Sequence, residues 1–544
     1  YEFDRLHMTF SKNNFDLLKP EINQDYIVLS SISYEDKEYL CNKYDLSFEL
    51  SSSKMILELY LKFGKKIFKN LGNKFFLFLY DTKNKNFSIF RDHIGFYNIY
   101  FTETNEDILL SSRLVFIKND KTNKKFKINQ NNLKKFLHMT PISKSETFFE
   151  KIKKVPATCS LSLKNTFLEL EYYEKFRDIN LDKNPKKQII GLKEELRKAV
   201  IRFSERNDKK LGFLFSGGLD SSTVISFYRK FRELDQKLYA FSGRFSHIDN
   251  NVKHLIDEKK FQNEIMKFND IEDRSFETEN ISTLIDIDRY LNLIGQPFFF
   301  PNLYVPNEAF KMASKEGISK VFNGNDGDSV ISHGYEYFLE LFLKFKLIKL
   351  FKNLNKTSKI FKKPIKFVFK RTVLNQIYFY NKIYFSAKEK HKAILNTSIH
   401  CDAIEIQSII AGDFGVEEVY PFYNMNLVNY CTNVRPDLKV NGYSRSILRE
   451  AIKGIVPEKI RLRTDKANLG HEITRSLINN DKVFVRNQLE NPHEKILDLV
   501  DISLLRSHWK NILLDPRKYS TGSNIPSLIY SYLVANRWLQ LNDN

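Results

Sequence analysis

Seven residues, Ser216-Gly217-Gly218-Leu219-Asp220-Ser221-Ser222, follow the apolar run LGFLF and lead into STVISFYRKF. A strand that ends in paired glycines and enters a helix suits an anion. Glycine lets backbone N–H groups come close to oxygen atoms, and a helix N-terminus adds about half a positive charge. The hydroxyls of Ser216, Ser221 and Ser222 supply further donors. No GxxxxGKS/T run is present, so this is a different phosphate device from the Walker loop. Asp220 stands among the donors, where it would repel a phosphate unless a cation lay between them. Mg²⁺, held by one or two carboxylates together with phosphates, is the natural cation. The chemistry implied is work on a nucleotide phosphate.

Two other stretches hold groups of the same kind. Asn323-Gly324-Asn325-Asp326-Gly327-Asp328-Ser329 packs acids into a glycine-bearing turn, and RLRTDKANLG contains Lys466. In isolation these read as a turn and a solvated lysine. His333, in VISHGYEYF, has a side chain whose ordinary pKa suits a general base, but it also reads as a histidine packed under the loop.

The elements around these groups divide the chain. Residues 1–176 are strand-rich, with DYIVLSSISY, KFFLFLYD, FSIFRD and NIYFTET bounded by Asn, Lys, Asp and Gly. Residues 177–187, RDINLDKNPKK, have the composition of a linker. From 188 to 544 the pattern alternates helix and strand: QIIGLKEELRKAVIRFSER, LGFLF, STVISFYRKF and KLYAFSGRF. Such alternation predicts an α/β domain with a parallel sheet.

At 544 residues the chain should form two or three domains, and 42% apolar and 14% aromatic residues fit a soluble globular protein. Cys41, Cys159, Cys401 and Cys431 have no CxxC spacing and read as thiols in a reducing compartment. No apolar run approaches the ~18 residues needed to span a bilayer, and no secretory signal opens the given sequence, so a cytoplasmic location is expected. The net charge is +20, and residues 341–371 contribute eleven Lys or Arg and no acid. An insertion at about 336–375 alternates basic and apolar residues at near-helical spacing. It suits an acidic peptide or protein partner or an anionic membrane surface, and nucleic acid is not the expected partner. Lys344, Lys346 and Lys349 are its test positions.

SGGLDSS is the signature of the N-type ATP pyrophosphatases, which split ATP between the α and β phosphates. The whole chain is similar to the asparagine synthetase superfamily, through LGNKFFLFLYDTKNKNFSIFRDHIGFYNIYF, FNGNDGDS, FGVEEVYPFYNMNLVNY, GYSRSILREAIKGIVPEKI and RLRTDKANLG. The resemblance implies an N-terminal layered αββα Ntn-hydrolase-like domain. It also implies a C-terminal adenine-nucleotide α-hydrolase-like (HUP, PP-loop) domain. It implies ATP and Mg²⁺, with Asp220 and Asp328 holding the metal and Lys466 neutralising the adenylate and departing pyrophosphate. The nucleotide set it implies is Phe215, Ser216, Gly217, Gly218, Asp220, Ser221, Ser222, Ser242 and Gly324. The substrates implied are a carboxylate and an amine, small molecule or peptide.

The chain also departs from that pattern. The family's glutamate that manages the amine proton falls on Asn325, which cannot be a base; Asp326 is its neighbour and candidate substitute. The carboxylate that would grip the α-amino group of glutamine falls on Ser53 or Lys54. The given sequence begins at Tyr1, with no cysteine before Cys41, and upstream residues are expected to be missing. Because Ser53 and Lys54 leave the glutamine pocket without its charge partner, the glutaminase half is expected to be an inactive scaffold. The synthetase half is then expected to resemble relatives that couple an amine of the substrate itself, such as β-lactam synthetases and lasso-peptide macrocyclases. Two alternatives stay open: a glutamine-hydrolysing asparagine synthetase, and a non-catalytic nucleotide-binding scaffold.

Overall fold

The computed structural model describes residues 2–3, 6–9, 20–72, 74–104, 107–120, 125–164, 167–173, 175–202, 208–232, 235–248, 256–378, 383–520 and 523–542. Tyr1 lies outside them.

Two sheets stack in the N-terminal half. One runs, from edge to edge, Phe167–Tyr172, Cys159–Lys164, Asn86–Arg91, Phe75–Asp81, Tyr26–Ile32 and Glu21–Ile22, all antiparallel. The other runs Glu2–Phe3, Leu6–Thr9, Ile108–Ser111, Tyr100–Glu103 and Lys153–Lys154. Phe76, Phe78, Ile89, Phe101, Ile108 and Leu110 meet between them. The alternate residues Phe75, Leu77 and Leu79 point the other way, onto helices Tyr34–Tyr44 and Ser52–Phe63. Both faces of FFLFLYD are thus covered, which is why it is almost uniformly apolar.

The outer face of the second sheet does not end the molecule. Tyr100, Leu109, Leu114 and Leu133 share a buried cluster with Tyr290, Leu291 and Trp538, the last from the closing helix Ile525–Asn542. The two halves are joined by continuous apolar packing, which buried polar contacts reinforce. Lys154 pairs with Glu405 at 3.2 Å and with Asp402 at 3.0 Å.

The C-terminal sheet is wholly parallel, in the order Ile271–Glu277, Lys237–Arg244, Lys210–Leu214, Lys320–Phe322 and Glu417–Val419. Helix Pro185–Ile201 precedes it, starting inside the stretch read as a linker because Asn184 caps it and Pro185 occupies its first turn. Chain order reverses between Lys210–Leu214 and Lys320–Phe322, where Gly212 faces Val321 and Phe213 faces Phe322. Ligands of open parallel sheets collect at the carboxyl ends of strands beside such a reversal.

The basic insertion is helical, as its spacing predicts: Tyr335–Leu343, Leu347–Phe361 and Ile365–Phe369. Its own small core includes Phe338, Leu341, Leu350, Leu354, Val368 and Val373. No helix among the described residues is long and apolar enough to cross a membrane.

Candidate active site

The loops that leave the two strands at the reversal open into a cavity of about 550 Å³. Ser216, Gly218, Asp220 and Ser221 line it from one loop, and Asn323, Gly324, Asn325, Asp326 and Asp328 from the other. Thr464, Asp465 and Lys466 close a third side. Three stretches separated by more than a hundred residues therefore meet at one place, as their chemistry requires.

The first loop is held open by its own polar groups. Gly217 has φ +89°, and a Cβ there would meet Gln262 at 3.1 Å. Gln262 donates from Nε2 to the Ser216 carbonyl at 3.1 Å. The Ser216 and Ser221 hydroxyls are 3.1 Å apart, and the Gly218 N–H donates to Ser216 Oγ at 3.1 Å. Helix Leu219–Phe231 then starts at Gly218 with no side-chain cap, leaving its first amides for a ligand.

The two loops touch with almost no clearance. A Cβ on Gly324 would lie 2.5 Å from the Ser221 nitrogen, and one on Gly327 would lie 2.7 Å from Asp220 Cγ. Glycine at both positions brings Asp220 and Asp328 to the same cavity wall.

Each of these acids has a cation. Arg445 Nη1 donates to both Asp220 oxygens, at 2.6 and 2.7 Å, and Lys466 Nζ donates to Asp328 at 2.8 Å. Their titrations diverge. Burial raises the Asp220 carboxyl; Arg445 offsets part of this and the charge of Asp328 adds to it. Burial also pushes Asp328 up, but Lys466, with His333 and Arg445 behind it, outweighs burial and brings it down to about 2. Among the described residues no cluster of three or more His, Cys, Asp or Glu forms a metal cage. Two coupled carboxylates in one cavity, with room for phosphate oxygens, are the donor set that suits Mg²⁺.

Not every residue expected at the nucleotide falls there. Ser222 is fully buried, its hydroxyl has no partner among the described residues, and it does not line the cavity. One position after Ser221, it is turned about 100° around the helix, away from the loop. Ser242 is also buried and donates to the Phe215 carbonyl at 2.6 Å; strand alternation turns it inward. Phe215 lines the cavity, yet its N–H is already bonded to the Phe241 carbonyl at 2.9 Å, so its backbone is engaged by the sheet. Gly217 shapes the loop without lining the cavity.

At the substrate end, Asn325 lines the cavity and its Nδ2 donates to Gln407 at 3.0 Å. This amide–amide pair stands where the resemblance expects a glutamate. Asp326, at φ +59°, accepts from the Tyr423 hydroxyl at 2.5 Å. His333 stacks on Tyr335 with ring centroids 5.4 Å apart and lies 3.8 Å from Asp328. Burial in the wall, with Arg445 nearby and Asp328 opposing, brings its pKa down to about 4.

Arg445, Arg463, Glu258 and Arg371 were missed by sequence reading. Arg463 pairs with Glu258 and, at 2.7 Å, with Asp465; its Nη1 also reaches the Gly217 carbonyl at 3.4 Å, tying the Lys466 segment to the first loop. Arg371 comes from the basic insertion. Arg445 and Arg463 had a prior signal, as parts of GYSRSILREAIKGIVPEKI and RLRTDKANLG, two stretches carrying the resemblance, and Arg371 closes the basic segment 341–371.

Comparisons with known proteins find two families along the chain. The family described as "Asparagine synthase" matches residues 191–540, more than half of the chain. The family described as "Glutamine amidotransferase domain" matches residues 38–174. A protein of Methanocaldococcus jannaschii named "Putative asparagine synthetase (glutamine-hydrolyzing) 2" is 28% identical over 304 residues, covering 54% of this chain and 56% of that protein. The chain thus matches little more than half the length of that relative. A solved structure, the U34-tRNA thiolase NcsA from Methanococcus maripaludis with its 4Fe-4S cluster, is similar at 14% identity and TM-score 0.20. That likeness covers 42% of this chain and 78% of the thiolase and carries no argument.

Proposed function

The chain belongs to the asparagine synthase family, and from that premise we propose that it is an ATP- and Mg²⁺-dependent carbon–nitrogen ligase. A substrate carboxylate oxygen bonds to the α-phosphorus of ATP, the bond to the bridging oxygen breaks, and pyrophosphate leaves. An amine nitrogen then bonds to the acyl carbon, AMP leaves, and the nitrogen loses a proton.

The observation that carries this reading is the convergence of the SGGLDSS loop, Asp328 and Lys466 on one cavity at the sheet reversal. The chain's own groups do the positioning. The amides after Gly218 and the Ser216 and Ser221 hydroxyls bind phosphate oxygens, and Gly324 lets the second loop close against the first. Asp220 and Asp328 would hold Mg²⁺, which supplies charge neutralisation on the phosphates. Lys466 is placed to move from Asp328 to the charge that develops when pyrophosphate departs. Asp326, which lines the cavity beside Asn325, is read as the acceptor of the amine proton.

The finer fold assignments belong to the same proposal. We read residues 1–176 as Ntn-hydrolase-like and 188–544 as HUP-like; stacked sheets under helices and a parallel sheet with a central reversal support this. A cytoplasmic location goes with it.

The amine is read as belonging to the substrate, as in lasso-peptide macrocyclases, rather than to glutamine. Ser53 supports this: it is buried, and its Oγ accepts the Ser30 N–H at 3.0 Å, while Lys54 beside it is exposed and basic. Neither offers a carboxylate to a glutamine α-amino group. The glutamine-hydrolysing reading rests on the amidotransferase match, and glutamate release from glutamine would establish it.

The test of the ligase is pyrophosphate release from ATP across a panel of carboxylates and amine-bearing peptides, with Asp220→Asn and Lys466→Ala as controls. Unaltered turnover in Asp220→Asn removes the metal assignment. ATP binding without pyrophosphate release from any candidate leaves the scaffold reading in its place.

A further inference from the structure

The basic insertion carries a feature that the ligase reading does not use. Helix Tyr335–Leu343 ends, and Leu347–Phe361 begins, in the run KFKLIKLFK, residues 344–352. Residues 344 to 349 are all exposed. Phe345 and Ile348 are each 84% exposed, Phe351 60% and Leu347 55%. Four lysines, Lys344, Lys346, Lys349 and Lys352, alternate with them, and no acid lies anywhere in 341–371.

The backbone holds Phe345 outward at a cost. The Lys346 N–H bonds to the Leu341 carbonyl at 2.8 Å and the Phe345 N–H to the Phe342 carbonyl at 3.1 Å. These two bonds close the helix with a left-handed residue, a position that ordinarily selects glycine. Here it is Phe345, at φ +55°. A bulky ring that is strained, solvated and unpacked adds nothing to the fold.

We propose that this tip docks the protein on an anionic lipid surface, the phenylalanines and Ile348 entering the headgroup boundary while the lysines meet lipid phosphates. Interleaved cations and apolar groups are what such a surface recognises. A protruding tip of six consecutive exposed residues needs a soft medium and not a shaped groove, and this favours a bilayer over an acidic protein. Two of the lysines also have local partners, Lys344 with Glu340 at 2.8 Å and Lys349 over the Tyr337 ring at 5.9 Å. Lys346 and Lys352, which have no such local partner among the described residues, are therefore the main charge contacts. Docking is independent of catalysis, since residues 344–352 do not line the cavity.

The test is cosedimentation of the full chain with phosphatidylcholine vesicles, with and without phosphatidylglycerol. The expected result is capture only by phosphatidylglycerol vesicles, weakened by added salt. Phe345→Gly should bind them roughly tenfold less, from the loss of one buried ring, while Tm is unchanged or higher because glycine relieves the strain. Lys346→Gln with Lys352→Gln should weaken capture and reduce its salt dependence. Failure of the wild-type chain to bind phosphatidylglycerol vesicles, or equal capture of Phe345→Gly, overturns the proposal. Binding of labelled polyglutamate without vesicle capture also overturns it and gives the surface to an acidic protein.

Discussion

One guanidinium nitrogen of Arg445 reaches both carboxylate oxygens of Asp220, at 2.6 and 2.7 Å, across 225 positions of sequence. Asp220 is mostly buried, so its charge depends on that partner. Removing either partner leaves the other as an unpaired charge in the cavity wall, since the Arg445 side chain is as buried as that of Asp220. Arg445→Ala should lower pyrophosphate release by roughly 10²–10³-fold and also lower Tm. Asp220→Asn should lose comparable activity and also lower Tm, by less than Arg445→Ala because the amide oxygen can still accept from Arg445. Thermal unfolding beside turnover reads both effects, and an unchanged Tm in Arg445→Ala would refute the dependence of Asp220 on its partner.

The contact between the two loops gives a second prediction. A Cβ at Gly324 lies 2.5 Å from the Ser221 nitrogen and 2.7 Å from its Cα, both backbone atoms that cannot swing aside. Gly324→Ala must part the loops, at a cost of about 1–3 kcal/mol for a forced contact of this kind. It should abolish pyrophosphate release while Gly317→Ala, at a position with no atom within 4 Å, leaves release intact. Gly317 itself has φ +68°, so a modest loss of Tm is expected there from backbone strain. Retained activity in Gly324→Ala would show that the loops move apart freely.

The first loop was legible because its chemistry is local: glycines, hydroxyls and a helix start lie within seven consecutive residues. The parallel sheet was legible from periodicity for the same reason. Arg445 was not, because its meaning is a tertiary pairing that no spacing announces. Ser222 and Ser242 misled because a hydroxyl near the motif looks like a donor to phosphate until helix rotation or strand alternation fixes its direction. Asn325 could be marked as a departure from the resemblance, but that its amide meets Gln407 depends on a residue in helix Ser398–Asp413. The amphipathic insertion was visible in sequence; the outward Phe345 was not, since nothing in KFKLIK says which residue takes the left-handed turn.

His333 carries a pH prediction. Its pKa lies at about 4 in the folded chain against an ordinary 6.5. As pH falls below about 6.5 the unfolded chain takes up this proton first, so stability drains away. The contribution of His333 is complete above about pH 6.5 and is lost as pH falls through about 4. His333→Gln should make Tm fall less steeply across that window, while His93, held at about 3 by burial, maintains part of the slope in both proteins. An imidazole NMR titration of His333 near its ordinary value would refute the assignment.

Arg371 distinguishes substrate from nucleotide. The other cations of the cavity are engaged: Arg445 by Asp220, Arg463 by Glu258 and Asp465, Lys466 by Asp328, and Arg449 by the Ser444 and Arg461 carbonyls. Arg371 lines the same cavity from the insertion, and among the described residues it makes no ion pair. An unengaged guanidinium at the cavity edge suits an anionic group on the acyl substrate. Arg371→Ala should therefore raise the KM of the acyl substrate about 10–100-fold, the loss of one charge-assisted hydrogen-bonded contact. The KM for ATP should not change, and Arg371→Lys should recover part of the loss, since lysine keeps the charge without the fork. A rise in the KM for ATP instead would place Arg371 on the phosphates, and a fall in kcat alone would place it at the reacting atoms.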